Sequence, residues 1–391
     1  MVTRFADILF QDNCLRSLEV SRAEHRLEEV KKAAFGTFEW LFEKPFVPFV
    51  HWLATIESKI FWIQGKPGSG KSTLMKFAKD DEITKKQLDG WLIVSYFFHD
   101  RGTQEQKTMA GLLSSVLHQI LREDTEAFAT IAGIFAHLTR AQQTSVPQWV
   151  QHSLCEALCQ VFEGSTEPLK VCFFFDALDE NRGNNEQLID LLNRLEHLEN
   201  PMIQLKICVA SRPWTIFQRA FAQKPTLKIQ DYAEKDIHEY TSKRIRTAIA
   251  SPDAAETHLY EALIGRIVSK ACGVFIWVGL VVDECVTSLR DGALPSEVQD
   301  TVEDMPRELD DLYLRCFERI NPRYRFESFL MMMLILYGSR IMDTAVLKVT
   351  NLETLIQIAQ GCKMGLKQMA GKRVSNDSRF FRRVATSSLE E

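Results

Sequence analysis

No apolar run in this chain is long enough to cross a bilayer. The two longest, Val274–Val282 and Phe329–Tyr337, are nine residues each, against the roughly 18 that a spanning helix needs, and both read as buried helices. Cysteine is present, nine in all, but without the paired spacing of a disulfide framework. Cys155 and Cys159 stand four apart in a helical pattern, yet no second His or Cys pair completes a metal site, so core packing is the better reading. A basic excess is missing too. The net charge of −5 argues against bulk attraction to nucleic acid or an anionic membrane. The opening residues Met1–Asp7 show no basic segment followed by an apolar stretch, and a reducing cytosol is the expected compartment. There is no internal repeat of solenoid or propeller period.

What is present is ordinary globular composition, 46% apolar and 25% charged over 391 residues, enough for one large domain plus a smaller appendage. Residues 15–34 carry Leu15, Leu18, Leu27, Val30 and Ala34 among charges, the pattern of an amphipathic helix. An aromatic connector with Pro45 and Pro48 leads to a strand at Ile60–Gln64. Strands then alternate with helices: Trp91–Phe98, Val171–Phe175, Ile203–Ala210 and residues 226–229 read as strands. Continuous apolar strands alternating with helices predict a parallel sheet covered on both faces, an α/β fold. After about residue 232 the pattern is helical, at 233–248, 258–271, 274–289 and 307–320.

Gly65-Lys-Pro-Gly-Ser-Gly70-Lys71-Ser72 fits G-x-x-x-x-G-K-S/T between a strand and a helix. Gly65, Pro67, Gly68, Ser69 and Gly70 form a loop whose amides can face phosphate oxygens, and the new helix adds its positive end. Lys71 is placed to reach the β- and γ-phosphates, Ser72 to ligate Mg²⁺, and Thr73 to reach the α-phosphate. About 100 residues on, Val171-Cys-Phe-Phe-Phe-Asp176-Ala-Leu-Asp179-Glu180 puts a carboxylate at the carboxyl end of a strand, where open parallel sheets bind ligands. Asp176 suits the second metal position. Glu180, supported by Asp179, suits the orientation of an attacking water. The next strand ends in Ser211-Arg212-Pro213, and Arg212 is a candidate reader of the γ-phosphate. Against these stand blander readings: a chance Gly-rich turn, helix-capping acids, and an ordinary surface arginine. His99, Asp100 and Arg101 follow a neighbouring strand and are candidate site-lining residues.

Together these residues resemble the NACHT family of signal-transducing P-loop NTPases, in particular fungal incompatibility-type and nephrocystin-like N-terminal NACHT domains. The resemblance is carried by Phe61-Trp-Ile-Gln-Gly-Lys-Pro-Gly-Ser-Gly-Lys-Ser-Thr-Leu-Met-Lys, Phe173-Phe-Phe-Asp-Ala-Leu-Asp-Glu, Ala210-Ser-Arg-Pro and Gly273-Val-Phe-Ile-Trp-Val, with Thr37-Phe-Glu-Trp and Asp311-Leu-Tyr. The acidic pair three residues beyond Asp176 is similar to NACHT proteins rather than to most other AAA+ relatives. The resemblance implies an AAA+-like sheet followed by a helical lid. It also implies ATP/ADP and Mg²⁺ as ligands, slow ATP hydrolysis that controls signalling, homo-oligomer formation in the ATP state, and protein partners that the sequence does not identify. It departs at Gly273-Val-Phe275, where many relatives have Gly-x-Pro, and in having no histidine after His258.

The expected division is 1–57 (N-terminal helix and linker), 58–231 (nucleotide-binding domain), 232–320 (lid), 321–371 (a partial, winged-helix-like region) and 372–391 (an unstructured tail). That tail and its approach are basic, and a solvated surface is favoured there over contact with RNA or lipid. A scaffold that binds nucleotide with little hydrolysis is the main alternative function. A P-loop phosphotransferase ranks below it, because no feature marks a second-substrate pocket.

Overall fold

The computed structural model describes residues 2–325 and 328, apart from 21–22, 35, 44–46, 56–58 and 249–253. The expectations for the chain from residue 329 on lie outside the described residues.

The expected single helix over 15–34 is two: α1 (Val2–Leu18) and α2 (Ala23–Glu29). Ser17 turns its hydroxyl back to the Cys14 carbonyl at 2.7 Å, a local bond that competes with continued helix. The aromatic connector holds two short helices, α3 (Trp40–Glu43) and α4 (Pro48–Ala54). Pro48 opens α4 rather than breaking the chain, because a first-turn residue needs no N–H partner and proline's φ suits the helix.

Five strands, β1 (Ile60–Gln64), β2 (Leu92–Phe97), β3 (Leu169–Asp176), β4 (Ile203–Ser211) and β5 (Thr226–Lys228), form one all-parallel sheet in the order β2-β3-β4-β1-β5. Between them run α5 (Lys71–Asp80), α6 (Glu82–Gln87), α7 (Met109–Glu123), α8 (Thr125–Gln142), α9 (Gln151–Glu163), α10 (Asn185–Glu196) and α11 (Thr215–Ala220). Alternate strand residues feed two cores. Phe173, Phe175, Ile207 and Val209 join a core with residues of α7, α9 and α10. Cys172, Phe174, Cys208 and Ala210 join one with residues of α4 and α5. This is the expected α/β P-loop fold, and each fully buried Phe or Leu contributes about 1.5–3 kcal/mol to it.

Asp81, Thr108, Asp124 and Asn184 cap the amino ends of α6, α7, α8 and α10 with their side chains, whereas α5 opens from Gly70, which has no side chain to do so. The register aligns Gln64 with Ser211 and Phe97 with Asp176, so the carboxyl ends of β1 to β4 meet along one edge.

Residues 1–286 form one compact unit. It continues through α12 (Ala233–Ala248) and α13 (Ala254–Ala271) into α14 (Phe275–Arg290). A second unit begins at Thr287, and its described part holds α15 (Pro295–Glu303), which the sequence pattern did not signal, and α16 (Leu309–Glu318). Among the described residues no helix is long and apolar enough to cross a membrane.

Candidate functional site

The loop after β1 turns without room to spare. A β-carbon on Gly65 would lie 2.4 Å from Ile229 Cγ2 and 2.5 Å from Ser69 Oγ, and Gly70 holds φ at +91°, a value that side-chain-bearing residues rarely adopt. The loop then releases the chain into α5, whose first amides face the sheet edge. Lys71 Nζ lies over this loop, donating to the carbonyls of Gly65 at 2.8 Å and Lys66 at 3.0 Å. Burial lowers its pKa, while Asp179 and Asp176 pull it back up, so the ammonium already sits in the field of the acids.

Asp176, the last residue of β3, is fully buried, and neither carboxylate oxygen has a hydrogen-bond partner among the described residues. Burial pushes its pKa up to about 7; the nearby Ser72 hydroxyl opposes that rise, Glu180 adds to it, and Lys71 and Arg26 again oppose. Two orphaned oxygens beside a hydroxyl are the donor set that a small, hard cation such as Mg²⁺ takes, and the residues present therefore fit one. Ser69 Oγ is likewise buried without a partner. Thr73 follows Ser72 in the first turn of α5, and Pro67 sits half-buried in the loop.

Ala177 then takes φ of +56°, a costly turn for alanine that sends Asp179 and Glu180 back along the sheet edge. Glu180 Oε2 accepts the Asp100 amide at 2.9 Å, and burial raises its pKa against that bond. Asp100 in turn pairs with Arg182 at 2.5 Å. Asp179 is bound twice by Arg212, from its amide at 2.8 Å and from Nε at 2.9 Å. Asp179 and Arg212 thus tie the turn after β3 to the end of β4. The loop, Asp176, Asp179, Glu180 and Arg212, far apart in sequence, are brought to one place.

Two contributions were missed as site residues. Phe38, at φ +68°, Phe275 and Ile229 lie around Gly70, where an added β-carbon would be in ordinary contact with all three. Ile276 packs on Gly68 and donates its amide to the Gly68 carbonyl at 3.1 Å. Thr37-Phe-Glu-Trp and Gly273-Val-Phe-Ile marked these segments by resemblance, but nothing local says that they meet. The other is Arg26 of α2, whose charge is felt by Asp176, Glu180 and His99. Its only signal was one arginine among the charges of a predicted amphipathic helix. His99, two residues beyond β2, lies beside Glu29, and burial and then Arg26 lower its pKa to about 4.

Residues 36–212 match the family model described as nephrocystin 3, N-terminal. A vegetative incompatibility protein of Podospora anserina, HET-E-1, is 23% identical over 322 residues, which cover 79% of this chain and 22% of the relative. The chain therefore spans about a fifth of the length of that relative. The matched segment begins just before Phe38 and ends on Arg212, so it takes in the whole loop-and-acid edge from Gly65 to Arg212. Over residues 36–212 the chain is thus similar to nephrocystin 3, N-terminal, and over most of its length to a fungal incompatibility protein, a likeness that supports a NACHT-like domain on this P-loop fold.

Proposed function

We propose that this chain binds a nucleoside triphosphate with Mg²⁺ at Gly65–Thr73 and hydrolyses it slowly to reset a signalling switch. One observation carries the reading: the two buried, unpartnered oxygens of Asp176 beside Ser72 and Lys71. A bare carboxylate so placed costs stability unless a cation joins it. Bound there, Mg²⁺ would neutralise charge on the phosphate oxygens. In this chain's own residues, Ser72 and Asp176 hold that cation, Lys71 moves from the loop carbonyls to the β- and γ-phosphates, and Thr73 reaches the α-phosphate. Glu180, fixed by the Asp100 amide, orients the attacking water and takes its proton. Asp179 sets the position of Arg212 at the γ-phosphate. Phe38 and Phe275 offer an apolar wall to the base, and ATP rather than GTP follows from the family likeness.

The bond from Ile276 to Gly68 supports a lid that follows the phosphate loop, and homo-oligomer formation in the triphosphate state is the output the family suggests. The relative's printed name, a vegetative incompatibility protein, supports a part in self/non-self signalling, and the cytoplasm is the compartment expected from the sequence.

The lid segment Gly273-Val-Phe275, without the proline that many relatives carry there, favours a second reading, a binding scaffold with little turnover. The first test is to denature the purified protein and identify released nucleotide by chromatography. ADP or ATP near one per chain, absent in Lys71→Ala, supports binding. An empty protein that also refuses added ATP overturns it. Glu180→Gln then separates the two readings: loss of turnover supports the switch, and unchanged turnover the scaffold.

A further inference from the structure

One cation beside the acid turn comes from neither the loop nor the strands. Arg26 stands on α2, upstream of the segment that matches the family. That helix is moored to the loop helix: Lys76 Nζ, from α5, donates to the carbonyls of Leu27 at 2.6 Å and Val30 at 2.8 Å. Its other neighbour is β2, at whose end His99 Nδ1 stands 3.8 Å from Glu29 Oε2, the same oxygen that Arg26 Nη1 approaches at 4.0 Å. Arg26 is thus held at the side of the site where Asp176 and Glu180 lie.

The other cations there have acceptors close by. Arg212 binds Asp179, Arg182 binds Asp100, and Lys71 binds loop carbonyls. Arg26 Nε is buried and has no acceptor, and among the described residues it is the only cationic nitrogen so placed. A buried donor left unmade costs free energy, and a guanidinium suits the forked geometry of phosphate oxygens.

We propose that Arg26 is a phosphate-reading arginine supplied in cis: its guanidinium meets the terminal phosphoryl group of a bound nucleoside triphosphate on the Asp176–Glu180 side, so that α2 is docked by triphosphate and not by diphosphate. This rests on the nucleotide reading above. Because Lys76 ties α2 to α5, the phosphate count at the loop is passed to the chain that precedes the domain.

The test uses the full chain with Mg²⁺ and compares wild type, Arg26→Ala and Arg26→Lys by calorimetric titration with ADP and with the slowly hydrolysed analogue ATPγS. The Ala variant should bind ATPγS about tenfold to a hundredfold more weakly, the scale of one hydrogen bond to a charged group, and ADP within about twofold of wild type. The Lys variant should fall between, since it keeps the charge and loses the fork. Amide exchange in residues 26–30 should slow more with ATPγS than with ADP, and the difference should vanish in Arg26→Ala. Equal weakening of both ligands, or of neither, in Arg26→Ala or, should that variant not fold, in Arg26→Lys, overturns the role of Arg26 while leaving the nucleotide site standing. A wild type that binds neither ligand overturns the nucleotide reading itself and this proposal with it.

Discussion

Gly65 has a buried Ile229 side chain on one side and the buried Ser69 hydroxyl on the other, so neither neighbour can swing into solvent to admit a methyl group. Gly65→Ala should cost about 1–3 kcal/mol of stability, the usual scale of overpacking. Nucleotide affinity should fall by about tenfold or more as the loop opens. Thermal melts and titration check both, and a variant with unaltered affinity would contradict the tight loop. Asp176 makes a prediction about pH. In the folded chain it keeps its proton to about pH 7, whereas unfolded it ionises near its ordinary value of about 4. The folded state therefore binds more protons between those values. The contribution of Asp176 to stability is complete below about pH 4 and is lost as pH rises through about 7. In chelator-containing buffer, wild type should lose stability relative to Asp176→Asn over that window, because the amide cannot ionise; parallel curves would refute the assignment. At this scale the sequence was informative where chemistry is local. Gly65 to Thr73 is a contiguous motif, and Asp176 ends an apolar run. The placement of Arg26 was illegible because it depends on where a separate helix docks.

At the scale of elements, the segment Thr37–Trp40 is held by a single buried acid. Asp236, on α12, accepts the Phe38 amide at 3.0 Å and Trp40 Nε1 at 2.8 Å with the same oxygen, and Tyr232 stacks on Trp40 at 4.8 Å. Asp236→Ala strands two buried donors and should cost on the order of 3 kcal/mol. Asp236→Asn keeps an acceptor and should cost less. Urea denaturation reads both, and equal losses would mean that the charge rather than the two bonds matters. The strands were legible because a strand buried on both faces is a plain apolar run, as Phe173–Phe175 is. The short helices were less so: α4 hid behind Pro48, which reads as a breaker until its first-turn position is known, and α6 behind an α5 pattern that stops at Asp81.

For the whole molecule, the triphosphate state is expected to assemble. Light scattering after size exclusion should give a mass that is a multiple of the monomer with ATPγS and Mg²⁺ but not with ADP, and Arg26→Ala should shift the balance toward the smaller species. An identical mass in both nucleotides would remove oligomer formation from the proposed output. The chain, which spans about a fifth of the length of its relative, is the material for these measurements. It also brings its own optical probe. The Trp40 indole is buried, bonded through its nitrogen to a carboxylate, and stacked face to face on a tyrosine, while its neighbour Phe38 touches the phosphate loop at Gly70. Any movement of that loop alters the polarity and quenching around one of the chain's seven tryptophans, so ligand exchange should be visible as a change in native ultraviolet emission that is lost in Trp40→Phe.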